Sequence, residues 1–133
     1  MTYLCIVYAN GEPQPVGDLD ETAMKDSFIE QDHALFEVGK LILASPLQGP
    51  ETSVTVRYRE GKAIRTDGPY LETKEWIAGF LVIEAADMAE AVAIATDGPF
   101  EGFADLEIRP LLDEKHSRTG LDRSAFFIRP QRD

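Results

Sequence analysis

Two runs, Tyr3 to Ala9 and Trp76 to Ile83, are apolar at nearly every position. A strand that reads this way is buried on both faces, so both runs belong in the middle of a sheet. The remaining extended segments differ. In Val54-Thr55-Val56-Arg57-Tyr58-Arg59 apolar and polar side chains alternate, and Ala104 to Arg109 does the same, as strands with one wet face or at an edge do. Leu41 to Leu47 reads as a further strand, with Val54 to Tyr58 and Ala63 to Thr66 forming an inserted hairpin.

Two helices separate the strands. The first is expected from Asp18, where Glu21 completes a capping-box pattern, to Gly39. The second begins at Asp87, with Glu90 in the matching place, and stops at Asp97-Gly98-Pro99, where glycine caps and proline cannot continue a helix. The core order is therefore β-α-β-β-α-β, an α+β ferredoxin-like sandwich with strand order 4-1-3-2. That order puts the first and third core strands in the centre, where the two apolar runs fall.

A chain of 133 residues with 44% hydrophobic content can bury one core without disulfides. Runs such as Ile77 to Ile83 are too short to cross a bilayer, and Met1-Thr2-Tyr3 lacks the basic stretch of a signal peptide, so a cytoplasmic location is expected. The single cysteine, Cys5, sits in an apolar run, which favours an inert core thiol over a nucleophile and rules out a cysteine metal cluster. Net charge is -11, yet Lys115, Arg118, Arg123, Arg129 and Arg132 crowd the last residues. An acidic body repels phosphate backbones and anionic lipid, so neither nucleic acid nor membrane is an expected partner. The basic tail is expected to pack on the acidic body of its own or a partner copy, and the apolar patch Ala125-Phe126-Phe127-Ile128 needs a place to be buried.

Met24, Phe28, Leu35 and Val38 share one arc of the first helix, flanked by Ile29 and Phe36, and Asp32 falls inside it. An ideal helix points this carboxylate toward the sheet, where it finds a partner or has its pKa raised; the alternative is an arc-edge residue reaching water. His33 lies beside it, with the side chain best suited to proton transfer near neutral pH. His116 lies in the tail, and the two histidines share no metal-ligand spacing, so no metal site is expected. The densest polar stretch is Asp67-Gly68-Pro69-Tyr70-Leu71-Glu72-Thr73-Lys74-Glu75. If extended, it sets Glu72 and Lys74 on one side, a carboxylate and lysine able to orient a ligand; the plainer reading is a turn followed by a solvated charge run.

That stretch, with Gly79-Phe80 after it, resembles the signature of the YCII-related, DGPF-type family, D-G-P-F-x-E-x-K-E followed by G-[FY]. The resemblance covers about residues 1–112, leaving 113–133 as a C-terminal extension. It implies a ferredoxin-like fold whose sheets pair into a dimeric α/β barrel with a cleft in each subunit. In the wider family a first-helix histidine and an aspartate are proposed as an active pair, and one relative resembles a dehydrochlorinase of aromatic substrates; His33 lies in the corresponding helix. Where the family commonly reads G-E-x-L, this chain has Ala44-Ser45-Pro46-Leu47, so Ser45 stands in place of a carboxylate near the cleft. DGPF-type proteins also tend to be encoded near extracytoplasmic-function sigma factors, which hints at regulation.

The expectation is a homodimer that binds a small organic molecule in a cleft between the first helix and the sheet and needs no cofactor, an isomerase or lyase working by proton transfer. Asp32 and His33 would carry protons, while Asp67, Glu72, Lys74 and Ser45 would contact the ligand. The alternative is a non-catalytic ligand-sensing module, or one that binds a regulatory protein through the tail. Oxygen-dependent monooxygenase chemistry rests on fold analogy alone.

Overall fold

A computed structural model describes residues 1–10, 21–98, 100, 102 and 104–127. Its elements follow the order β1 (Thr2–Asn10), α1 (Glu21–Glu37), β2 (Leu41–Pro46), β3 (Val54–Arg59), β4 (Lys62–Asp67), β5 (Glu75–Glu84), α2 (Met88–Thr96) and β6 (Ala104–Pro110). Short 3-10 turns occupy Pro50–Thr52 and Arg123–Phe127. The main sheet has the order β2-β5-β1-β6, with every pairing antiparallel, and β3 and β4 form a separate ribbon. This is the strand order of a ferredoxin-like sandwich, and the two apolar runs are its two central strands.

The helix ends are chemically marked. The Asp87 side chain accepts from the Glu90 N–H at 2.9 Å, capping α2. At the end of α1, Gly39 takes φ +76° while its N–H donates to Phe36 O and the Lys40 N–H donates to Leu35 O, the paired bonds of a Schellman cap. The expected start of α1 at Asp18, the loop before it and Pro99 lie outside the described residues.

One face of the sheet is filled. Tyr3, Cys5 and Val7 of β1 and Leu81 and Ile83 of β5 pack with Leu41 and with Ala91, Ile94 and Ala95 of α2, and Cys5 and Ile83 are completely buried. Among the described residues the opposite face is the more open one. Leu4, Ile6, Phe80 and Val82 alternate with the buried set and are only half-covered, and Leu43 beside them is 54% exposed. Burial on both faces, expected from the unbroken apolar runs, is thus complete within the single chain on the helix side alone.

A register shift in β2 decides which of its residues face where. Leu41 pairs with Ile83 and Leu43 with Val82, so Ile42 is an extra residue and the strand turns over beyond it. Ala44 and Pro46 therefore face the helices, while Ser45, opposite Phe80, faces the open side. At this crossing β2 runs close to Gly79: a Cβ there would stand 2.9 Å from Ser45 O and 3.1 Å from Pro46 Cα, both backbone atoms. Gly79→Ala is expected to destabilise by about 1–3 kcal/mol through overpacking. Urea unfolding of Gly79→Ala beside Ala78→Gly checks this, and an unchanged midpoint for Gly79→Ala would contradict the close approach.

Candidate functional site

The residues at i, i+3, i+4 and i+7 of a helix share a face, and on α1 this set is Phe28, Gln31, Asp32 and Leu35. Together they form one wall of a shallow, open-mouthed depression whose enclosed space, about 10 Å³, is room for a single water. Ile94 and Ala95 of α2 form the second wall, Leu81 of β5 the floor, and Gly98 and Phe100 the rim. Two contacts hold the walls together. The Gln31 side-chain amide donates to Asp97 O at 2.9 Å, satisfying a carbonyl at the end of α2, and the Phe28 and Phe100 rings meet at 5.6 Å with a tilt of 43°. Gly98 leaves room for that ring to fold back, since a Cβ there would come within 3.0 Å of it.

Among the described residues, Asp32 is the one ionisable side chain lining this pocket. It is half-buried, and no described residue gives it a hydrogen bond or an ion pair. Loss of water around the carboxyl raises its pKa above the ordinary 3.8. His33 points elsewhere: its Nε2 lies 3.0 Å from Glu37 Oε1, and both side chains are about two-thirds exposed, at 67% and 64%. Asp32 and His33, both expected as proton carriers, do not face one pocket, because neighbours on a helix diverge by about 100°.

The other expected site residues stand apart from this pocket. The turn in β2 carries Ser45 to the sheet's open face, where its hydroxyl donates to Pro46 O at 2.8 Å. Asp67 ends β4 opposite Val54, and Glu72 and Lys74 are exposed between the ribbon and β5. The Asp-Gly-Pro-Tyr stretch closes the base of the ribbon. The Gly68 N–H donates to Ser53 O, and Gly68 O accepts from the hydroxyl of buried Thr55, both at 2.8 Å. Arg57 stacks over the Tyr70 ring at 4.7 Å and donates to Tyr70 O at 3.0 Å.

In the extension, His116 Nδ1 accepts from the Arg118 and Thr119 N–H groups. Lys115 pairs with Asp122 at 2.7 Å and Arg123 with Glu114 at 3.5 Å, so these cations meet carboxylates of their own segment instead of the acidic body. Ile128, Arg129 and Arg132 lie outside the described residues. Burial pushes the Cys5 thiol up to about 11, consistent with an inert core thiol. Among the described residues there is no cluster suited to a metal ion, and no helix is long and apolar enough to cross a membrane.

Sequence reasoning missed Gln31, Gly98 and Phe100. A signal for the last two was present, since Asp97-Gly98-Pro99-Phe100 repeats the pattern of Asp67-Gly68-Pro69-Tyr70.

A four-stranded antiparallel sheet with two helices on one face, and a lone carboxyl between them, defines an α+β domain of ferredoxin-like topology. The chain belongs to the YCII-related domain family, whose model matches residues 1–115. It is 36% identical over 97 residues to the uncharacterized protein R00369 of Rhizobium meliloti (strain 1021), covering 69% of this chain and 75% of that protein. A solved structure similar to it is 5-chloro-2-hydroxyhydroquinone dehydrochlorinase from Burkholderia phenoliruptrix AC1100 in complex with 2,5-dihydroxybenzoquinone. That likeness has 17% identity and a TM-score of 0.45 over 86% of this chain and 96% of the other.

The raised pKa of Asp32 has a stability consequence of definite sign. The folded state holds this proton more tightly than the unfolded state, so its contribution to stability falls as pH climbs from 3.8 through the raised value and is constant above it. Asp32→Asn is expected to raise the melting temperature at pH 7 and to match the wild type at pH 3. Thermal unfolding at both pH values checks this; an equal offset at the two would point to packing instead.

Proposed function

We propose that the chain is a homodimeric domain that binds a small organic molecule in the pocket between α1, α2 and the sheet and moves a proton on it without a cofactor, as an isomerase or lyase does. The observation that carries this reading is Asp32, a carboxyl without a partner among the described residues, held half-buried against apolar walls with its pKa raised. A general acid or base works best with a pKa near the operating pH, and desolvation moves a carboxyl in that direction. Phe28 and Phe100 offer apolar ring surfaces, and Gln31 keeps its amide oxygen available for orientation. His33 faces outward with Glu37, so the proposal gives the proton step to Asp32 alone.

A screen of small planar carbon acids by amide NMR tests the reading. Binders are expected to shift the signals of Phe28, Asp32, Leu35 and Phe100. For a binder whose C–H exchange with deuterated solvent is accelerated, Asp32→Asn should slow exchange about 10²–10⁴-fold and leave affinity nearly unchanged. Exchange indifferent to this substitution removes the proton-transfer role, and binding mapped elsewhere removes the pocket. A second reading, a non-catalytic sensing or protein-binding module, is favoured by Phe126 and Phe127, which are 53% and 71% exposed. It gains if ligands occupy the pocket without exchange.

The homodimer is supported by the open sheet face. Both helices lie on the other side, and Leu4, Ile6, Leu43, Phe80 and Val82 form a contiguous apolar surface that a second sheet would cover, closing a two-sheet barrel. Phe80→Asp places a carboxylate at the centre of that surface. It should raise the dimer dissociation constant by about 100-fold or more in sedimentation equilibrium. A wild-type protein that sediments as a dimer and a variant that does so equally well would place the contact elsewhere.

A further inference from the structure

The segment that follows β6 closes on itself. Lys115 and Asp122 meet in an isolated antiparallel bridge, the His116 N–H donates to Leu121 O at 2.8 Å, and the Gly120 N–H donates to His116 O at 2.9 Å. The Arg123 N–H returns to Glu114 O at 2.6 Å, and the 3-10 turn Arg123–Phe127 then brings the Phe126 ring to 5.5 Å from the His116 ring. Among the described residues, the hydrogen bonds, ion pairs and ring contacts of 113–127 all stay inside the segment.

A single side-chain atom closes the tip of this hairpin. His116 Nδ1 accepts from two backbone N–H groups, those of Arg118 and Thr119, each at 3.3 Å. An imidazole nitrogen accepts only while it carries no proton, so this geometry requires the neutral ring with its hydrogen on Nε2. The next proton has one place to go. On Nδ1 it removes the acceptor and sets a third N–H against the two donors, and neither amide has another acceptor among the described residues. To reach water or a new acceptor, the protonated nitrogen must swing away from the turn, which carries the ring off Phe126.

The charged groups around the ring are Arg118 in the turn itself, the Lys115–Asp122 pair at 2.7 Å and the Arg123–Glu114 pair at 3.5 Å; the 3-10 turn meets the ring with apolar Phe126. Histidine is the side chain whose ordinary charge change falls between about pH 5 and pH 8, while carboxylates, lysine and arginine keep their charge there. Within the segment, acidification over that range therefore acts through His116.

We propose that His116 is a proton-operated pin of the C-terminal extension: neutral, it holds the turn at Arg118 and Thr119 closed and stacks on Phe126; protonated at Nδ1, it opens the turn and uncovers the aromatic surface of Phe126 and Phe127. The extension is then a closed hairpin at neutral pH and an open one in mild acid. This inference depends on neither the pocket nor the homodimer.

Nuclear magnetic resonance of the full chain tests it. His33→Gln removes the other histidine, so the ring signals belong to His116 alone. At pH 8 the ring is expected as the Nε2–H tautomer. On acidification to pH 5, water exchange of the Arg118 and Thr119 amides, corrected for its intrinsic pH dependence, should speed up about three- to tenfold as the ring takes its proton, and the cross-relaxation between the His116 and Phe126 rings should vanish. Exchange that is the same at both ends of the titration, or an Nδ1–H tautomer at pH 8, overturns the pin. His116→Asn supplies the second arm, since Asn Oδ1 stands where Nδ1 does and accepts at either pH. Its two amides should stay protected down to pH 5; protection lost in this variant over the same range assigns the opening to another group and overturns the proposal.

Discussion

The antiparallel pairing of β1 with β5 is the contact on which the other elements are laid. Its register sets Tyr3 against Ile83 and Cys5 against Leu81, and the most deeply buried side chains of the molecule lie along it. Both edge strands attach to this pair, β6 through β1 and β2 through β5, and α2 seats Ala91, Ile94 and Ala95 on its filled face. The two alanines among these let the α2 backbone approach the sheet closely. Because the side-chain period of a strand is two, one slip in this register would exchange the filled face for the open one.

Much of this frame was legible in the sequence because each cue is local. Unbroken apolar runs marked the central strands, alternation marked the outer ones, and Asp87 with Glu90 marked the start of α2. The site was legible only in part. Asp32 could be placed because its orientation follows from its own helix, whereas the walls facing it come from sequence-distant segments. Gln31 meets Asp97 O across sixty-six positions, and Phe28 meets Phe100, pairings that no helical or strand period encodes. Ser45 was expected near the cleft from the family pattern, which carries no strand register; the extra residue at Ile42 sets it on the face opposite buried Leu41.

The Asp-Gly-Pro-Tyr stretch has a structural account of its own. Glycine at φ +106° makes the turn, Thr55 and Ser53 satisfy its backbone, and Arg57 holds Tyr70. Of the two readings of that stretch, the geometry matches the turn followed by a solvated charge run, with Glu72 and Lys74 exposed. The twin tetrad after α2 is similar in sequence and different in consequence, because its aromatic residue turns inward onto Phe28.

The two faces of the sheet therefore carry opposite physical problems. On the helix side there is nearly enough apolar surface to fill the core, and the shortfall falls between α1 and α2, where a carboxyl occupies a position an aliphatic side chain would close. Asp32 there costs stability above its pKa, a cost that the proton-transfer role proposed for it would account for. On the open side the surplus runs the other way. Apolar side chains of β1, β2 and β5 are left partly exposed there by the described residues, with Leu43 54% exposed.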